Sequence, residues 1–358
     1  MIFTKCVIRV ALGMAETGNQ DSNSKLCIGL TYNLKKNVKT DVVDLEAEYD
    51  NLDTVLAIKN ALESGGYRVE LLEATEDLPA RLFADPPDLV FNIAEGIQGR
   101  GREAQVPAIL NYLRIPYSGS DETTLCIALD KALTKRLLTT YHIKTPQYRV
   151  IGNGHPRVGG TVKFPAIVKP NAEGSSKGIS DVAIVTDRAS LQMLVDKNLR
   201  LYRQDMLVEE YIAGREFTVG VLGNGDATRV FPPMEIVYLD EKSPYQIYSY
   251  PVKQNYKELI RYECPARVEP AIEQEMMRIA RRIYEILACR DFSRMDFRLS
   301  PDGQIYFIEI NPLPGLAPGY SDYPMLAEFS GMNYNELVCA ICRCALLRYG
   351  LANKHERG

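Results

Sequence analysis

A chain of 358 residues, 46% hydrophobic and 25% charged, has the composition of a globular protein but is too long for one ordinary core, so two or three domains are expected. A net charge of −4 with no long run of Lys and Arg argues against nucleic acid as a partner. No apolar run is long enough to span a membrane, and the eight cysteines form no paired framework, which fits reduced thiols and a cytoplasmic location.

Residues 1–24 begin with two cations and an apolar stretch too short for a good signal peptide, then turn polar from Glu16 to Ser24. They read as a disordered extension, with Met14 as an alternative start. "KLCIGLTY" is a strand, "NLDTVLAIKNALESGGYRVELLEA" a helix, a Gly-Gly stop and a second strand, and "PDLVFNIAE" a third strand before the helix "REAQVPAILNYLR". This rhythm predicts a small parallel α/β domain over residues 25–119. A single helix follows in "LCIALDKALTKRLLTTY", then strands and loops, with "LVEEYIAGREFTVGVLG" as strand, turn and strand. Residues 238–262 are polar, tyrosine-rich and aperiodic, the character of a lid. The helix "EPAIEQEMMRIARRIYEIL" precedes a hairpin and a closing helix, "LVCAICRCALL", whose Cys339, Cys342 and Cys344 read as packing residues rather than metal ligands.

Three motifs compete for the chemistry. Gly-Ser-Ser-Lys-Gly at 174–178 matches a nucleophile elbow, but Pro170 to Glu173 separate it from its strand, and the only later histidine is His355, in a polar tail. Gly99 to Ala104 fits a dinucleotide fingerprint with Asp121 downstream, yet it follows the third strand and carries two arginines where a pyrophosphate must touch backbone. In the third reading the glycine–serine loop after "FPAIVKP" cradles a phosphate, with Lys169 as a point charge beside it. For the loop alone, a solvated turn with Lys169 reaching to water reads slightly better.

The segment "FSRMDFRLSPDGQIYFIEINPLPGL" reverses that balance. Pro301-Asp302-Gly303 marks a turn between two strands. If Ser300 pairs with Ile305, alternation sets Asp296 opposite Glu309, and two like charges so placed need something between them. With Asn311 they form a hard-oxygen set suited to Mg²⁺. The alternative, neutralisation by Arg294 or Arg298, leaves Asn311 and the Pro-Leu-Pro-Gly turn without a role. A phosphate clamp and a divalent-cation site together imply nucleoside triphosphate chemistry, with neither a Walker sequence nor a kinase signature present.

With "LDKALTK", "FPAIVKPNAEGSSKGIS", "LVEEYIAGREFTV", "RMDFRLSPDGQIYFIEINPLPGL" and "MLAEFSGMNYNELV" in order over residues 88–347, the chain resembles the D-alanine–D-alanine ligase branch of the ATP-grasp superfamily. The resemblance implies three α/β domains with ATP held between the central (120–208) and C-terminal (209–350) ones, residues 351–358 being a tail. It implies ATP-driven joining of a carboxylate to an amine through an acyl phosphate, with ATP and Mg²⁺ or Mn²⁺ as cofactors. Lys131 and Lys169 would touch the α- and β-phosphates, with Ser175 and Ser176 on the closing loop. Glu209 and Ile212, with Tyr211 beside them, would form the adenine-reading hinge, Glu216 would hold the ribose and Lys253 the γ-phosphate. Asp296, Glu309 and Asn311 would ligate the metal, while Arg294 and the Gly315 N–H would face the reacting carbonyl.

The substrate positions depart from the family. Glu48 only approximates its first acidic signature, Glu95 replaces a histidine, Arg100 and Arg102 stand at acidic or small positions, Gln254 replaces a tyrosine, and Tyr320 replaces a small hydroxyl residue. The expectation is therefore a ligase for an amino acid or small peptide that need not be D-alanine, with Arg100 and Arg102 either solvated or facing an extra substrate carboxylate. A genuine cell-wall D-alanine–D-alanine ligase, an inactive nucleotide-binding protein and a dinucleotide-dependent oxidoreductase are the competitors. By analogy with related ligases the chain would form a homodimer.

Overall fold

The structure, a computed structural model, describes residues 25–36, 48–152, 154, 156–173, 183–240 and 245–352. The expected extension 1–24, the loop serines Ser175 and Ser176, and most of the polar tail lie outside them.

Strands β1 (Cys27–Tyr32), β2 (Arg68–Glu73) and β3 (Leu89–Asn92) form a parallel sheet in the order β2-β1-β3. The helix Leu52–Ser64 starts where Asn51 accepts the Thr54 N–H and ends at Gly65. Its buried face meets the closing helix Tyr334–Arg348 in one core with Ile28, Leu30, Phe91, Ile341 and Cys342. The first sheet and the closing helix thus share one core, and the cysteines of that helix form no disulfide.

A second sheet is antiparallel, in the order β4-β7-β5-β6, from β4 (Tyr148–Ile151), β5 (Ala166–Pro170), β6 (Ile184–Val185) and β7 (Met206–Glu210). The third holds β8 (Arg215–Leu222), β9 (Arg229–Val230), β10 (Met234–Tyr238), β11 (Ile260–Glu263), β12 (Phe292–Leu299) and β13 (Ile305–Asn311), ordered β11-β10-β8-β12-β13 with β9 beside β8.

Two expectations are corrected. The single helix predicted after Thr123 is broken at Asp130, which ends Glu122–Leu129 and caps Lys131–Thr140 by accepting the Leu133 N–H at 2.9 Å. Asn171, at the end of β5, ties the break down by donating to Asp130 at 2.8 Å and accepting the Ala132 N–H at 3.0 Å. These helices also put Ala128, Leu138 and Ile143 into the core of the six-stranded sheet with Phe217 and Phe297, rather than into the four-stranded one. The second correction concerns the hairpin: Leu299, not Ser300, pairs with Ile305, and an irregularity at Ile308 restores the pairing of Asp296 with Glu309.

Candidate active site

The two acidic residues of the hairpin do face each other, and the structure surrounds them with cations. Arg294 grips Asp296 with two nitrogens, at 3.2 and 3.0 Å, and Asp322 with a third at 2.9 Å. Lys131 lies 3.5 Å from Glu309 and donates to the Glu173 carbonyl. Burial pushes the Asp296 carboxyl up against the pull of Arg294. Burial acts on Glu309 too, but Lys131, Lys169, Lys253 and Arg294 outweigh it and hold that carboxyl down at about 2. One acid thus stays charged beside a second whose charge is already countered.

The fit of this pair to a divalent cation can be tested on Asn311. Its amide nitrogen is buried and has no hydrogen-bond partner, a cost of about 1–3 kcal/mol in a closed protein. A half-turn of the amide presents oxygen at the same point, completing with Asp296 and Glu309 a donor set of the kind Mg²⁺ takes. The residues fit the ion. The arginine ladder considered as the alternative is also present in part, since Arg294 does pair with Asp296.

A cavity lined by Lys169, Glu209, Ile212, Glu216, Lys253, Asp296, Arg298 and Glu309 lies against this pair. Most of the residues expected at the nucleotide are therefore brought together, although their roles differ. Glu209 is buried between Lys169, 3.2 Å from one oxygen, and Lys135, 3.0 Å from the other and close enough to pair though not aligned as a hydrogen bond. Its side chain is committed to two cations. Burial pulls Lys135 down to about 8 despite Glu209; Lys169 resists the same burial because Glu209 and Glu309 more than offset it. Lys135 was not foreseen. It sits one helical turn after Lys131 and also donates to Ile308 at the hairpin irregularity, at 2.7 Å.

Glu216 is held in place by Arg298 at 2.7 Å and by the Tyr238 hydroxyl at 2.6 Å. Arg298 in turn donates to the Ile212 carbonyl at 2.7 Å and to that of Gln246. Tyr211 lies under Arg298, 4.8 Å from the ring centre, and accepts the Gln246 N–H at 3.1 Å, bracing the segment predicted as a lid. That segment carries Lys253, whose ammonium is 4.8 Å from the Tyr248 ring centre and is pulled down by burial and Arg294. It is not aperiodic throughout: Tyr250–Gln254 and Tyr256–Leu259 are short helices.

A second cavity shares Lys253 and is lined also by Lys131, Arg294, Asn311, Gly315, Glu48, Glu95, Glu103 and Glu173. Gly315 lines this cavity, and a Cβ there would stand 2.9 Å from the Ser321 hydroxyl. Glu48, Glu95 and Glu103 each offer an oxygen within 4.8 Å of the others. Arg102 is buried against them, bonded to both Glu48 oxygens at 2.7 Å, to Glu173 at 3.0 Å and to the Ala172 carbonyl at 3.0 Å. Arg102 is thus held by two carboxylates, while Arg100, 2.6 Å from Asp130, is largely solvated. Tyr320 is 42% exposed, away from the cavity lining, and bonds Gln254 at 3.0 Å. Two departures from the expected pattern thus contact each other.

Asp322 is the other residue the sequence did not suggest. It is buried, and beyond Arg294 it accepts the hydroxyls of Tyr248 at 2.9 Å and Tyr262 at 3.1 Å. Nothing local in "GYSDYP" marks it.

The chain is similar to known proteins in sequence and in fold. The family model for the D-ala D-ala ligase C-terminus matches residues 149–343. The uncharacterized protein y4sG of Sinorhizobium fredii is 33% identical over 305 residues, 83% of this chain and 88% of its own. A D-alanine–D-alanine ligase of Aquifex aeolicus is 33% identical over 294 residues, 81% of this chain and 94% of its own. In fold, the chain superposes on the crystal structure of a D-alanine–D-alanine ligase from Bacillus anthracis complexed with ATP, with a TM-score of 0.69, 21% identity, and 94% of this chain and 100% of the other covered. Among the described residues no helix is long and apolar enough to cross a membrane.

Proposed function

The chain belongs to the D-alanine–D-alanine ligase family, and from that premise we propose that it is an ATP- and Mg²⁺-dependent ligase that joins the carboxylate of an amino acid or small peptide to an amine through an acyl phosphate, in a pocket that has diverged from D-alanine. One observation carries the reading: the acidic pair Asp296 and Glu309 and the lysines Lys169 and Lys253 line one cavity, and Lys253 also lines the next one, beside Arg294 and Gly315.

A carboxylate resists attack by an amine until one oxygen becomes a leaving group. ATP supplies that group, and charge on the moving phosphoryl must be spread as it passes. Lys169, kept protonated by Glu209 and Glu309, and Lys253 provide fixed positive charge on the nucleotide side, with Lys131 beside Glu309. A bound Mg²⁺ or Mn²⁺ would be held by Asp296, Glu309 and Asn311 and would add Lewis-acid neutralisation of phosphate oxygens. Glu216, already oriented by Arg298 and Tyr238, suits the ribose hydroxyls. Amine attack then builds negative charge on the carbonyl oxygen. Arg294, held by two carboxylates, and the open backbone at Gly315 are preorganised donors for it. The lid keeps out water, which would hydrolyse the mixed anhydride.

The test is ADP release with Mg-ATP across a panel of D- and L-amino acids, singly and in pairs. Turnover with a pair other than D-alanine with itself is expected. Ordinary turnover with D-alanine alone returns the chain to the activity for which its Aquifex relative is named. Stabilisation by Mg-ATP with no ADP release under any pair turns it into a binding protein.

A further inference from the structure

The region predicted as a lid carries Lys253, which lines both cavities, and its own helices are not what holds it there. Tyr250–Gln254 and Tyr256–Leu259 are five and four residues long, well short of the length at which a helix stands alone in water. Gln254, Asn255, Lys257, Glu258 and Leu259 are exposed. A segment with so little buried surface takes its position from what it is tied to.

One tie, at Gln246, runs to Tyr211 and Arg298. The other runs to the loop that follows Gly315. Gln254 donates to the Tyr320 hydroxyl at 3.0 Å, and the Tyr256 hydroxyl donates to the Gly319 carbonyl at 2.8 Å. The Tyr256 ring stands edge-on to that of Tyr320, 6.3 Å between centres, and lies 6.0 Å from that of Tyr262. It packs against the core of the first sheet and against the smaller cluster of Ile236, Tyr248 and Ile260. The loop is shaped for this contact. Gly319 has a φ of +66°, yet no atom lies within 4 Å of where its Cβ would stand, so glycine serves the backbone conformation there and not a lack of space. Gln254 and Tyr320 are also two positions at which the sequence departs from the family pattern, so their bond belongs to this chain. A helix bearing Lys253 and a loop bearing Gly315, which line one cavity together, are thereby fastened to each other.

We propose, on the ligase reading above, that Gln254, Tyr256, Gly319 and Tyr320 form a latch that holds the Lys253 helix against the Gly315 loop, and that the site opens only when both bonds break. Gln254, Tyr256 and Tyr320 are positioning residues: they touch no substrate, but while the latch is shut Lys253 stays on the nucleotide and water stays off the acyl phosphate.

The experiment follows, by stopped flow, the release of a fluorescent non-hydrolysable ATP analogue with Mg²⁺, beside the melting temperature of each protein without nucleotide. Gln254→Ala and Tyr320→Phe should each speed release about fivefold, the worth of one exposed hydrogen bond, and no further together, because they break the same bond. Gln254→Ala with Tyr256→Phe breaks both bonds and keeps the packed ring, so release should be about twentyfold faster with the melting temperature unchanged. With any amino-acid pair that turns over, this last variant should release more ADP than it forms amide. Unchanged release overturns the latch, as do effects of Gln254→Ala and Tyr320→Phe that add, or faster release matched by a lower melting temperature. ADP and amide staying equal in a variant that releases nucleotide fast also overturns it, since the bonds then shield nothing. Should no pair turn over, the ligase reading falls while the release rates still decide the latch.

Discussion

Asp322 holds Arg294 at 2.9 Å with one oxygen and the hydroxyls of Tyr248 and Tyr262 with the other. The guanidinium proposed to face the reacting carbonyl is thereby tied to two tyrosines of the region predicted as a lid, one on each side of the Lys253 helix. Lid position and arginine position are set by the same carboxylate.

Replacing that carboxylate should therefore act on the chemical step. Asp322→Asn keeps the shape but removes the charge-assisted bond, worth about 1.5–3 kcal/mol. A fall in kcat of ten- to a hundredfold is expected, with the Kd for Mg-ATP little changed and Asp322→Glu recovering part of the loss. Should Mg-ATP affinity fall while kcat holds, Asp322 orders the nucleotide and not Arg294.

Glu209 stands between two buried lysines. Glu209→Gln leaves Lys135 and Lys169 buried together with no carboxylate between them, and breaking a buried pair this way costs about 3–5 kcal/mol. Urea unfolding should show that loss in the absence of nucleotide. A variant as stable as the parent would show that neither lysine depends on that carboxylate.

Glu309 is the acid that stays ionised among four cations, and the metal assignment makes it indispensable. Glu309→Gln should lose at least a hundredfold in ADP release and lose the part of ATP-induced thermal stabilisation that EDTA removes from the parent. Asn311→Ala should weaken the same Mg²⁺-dependent component while removing an unpaired buried amide, so its apo stability should not fall. Unchanged Mg²⁺ dependence in both variants would leave the hairpin as an ion-pair ladder.

The pH dependence of stability follows from Glu103, which faces Glu48, Glu95 and Glu173 with Arg102 and Lys131 as the opposing charges. Its folded value, about 7, lies above the ordinary 4.5. Between those values the folded state holds a proton that the unfolded chain has lost, so stability declines as pH rises from about 4.5 to 7. Glu103→Gln should be close to the parent at pH 5 and more stable at pH 8. Melting curves of both proteins at the two values check the sign; a variant advantage that shrinks with rising pH contradicts it.

Much of the site was legible before folding because its information is local. Alternation along "SRMDFRL" and "IYFIEIN", with the turn between them, is enough to set Asp296 against Glu309, and the lysine after an apolar strand announces its own anomaly. The parallel N-terminal sheet was readable for the same reason, since helix and strand periods differ within a few residues. In the hairpin the route was partly wrong: the turn pairs one residue earlier than predicted, and the irregularity at Ile308 absorbs the difference.

What local patterns decided, then, was which residue types line up along each strand and helix, and hence that candidate phosphate-binding and metal-binding groups coexist in one chain. The tertiary structure alone decided their partners. Asp130 breaks a helix because Asn171 reaches it from the end of a strand; Arg102 is spent on Glu48 and Glu173; Glu209 is claimed by Lys135 and Lys169; and Asp322 finds Arg294 and two tyrosines. Each of these is a charge satisfied across sheets or distant turns. A buried charge takes its counter-charge from whatever the fold brings near it, which no periodicity along the chain records.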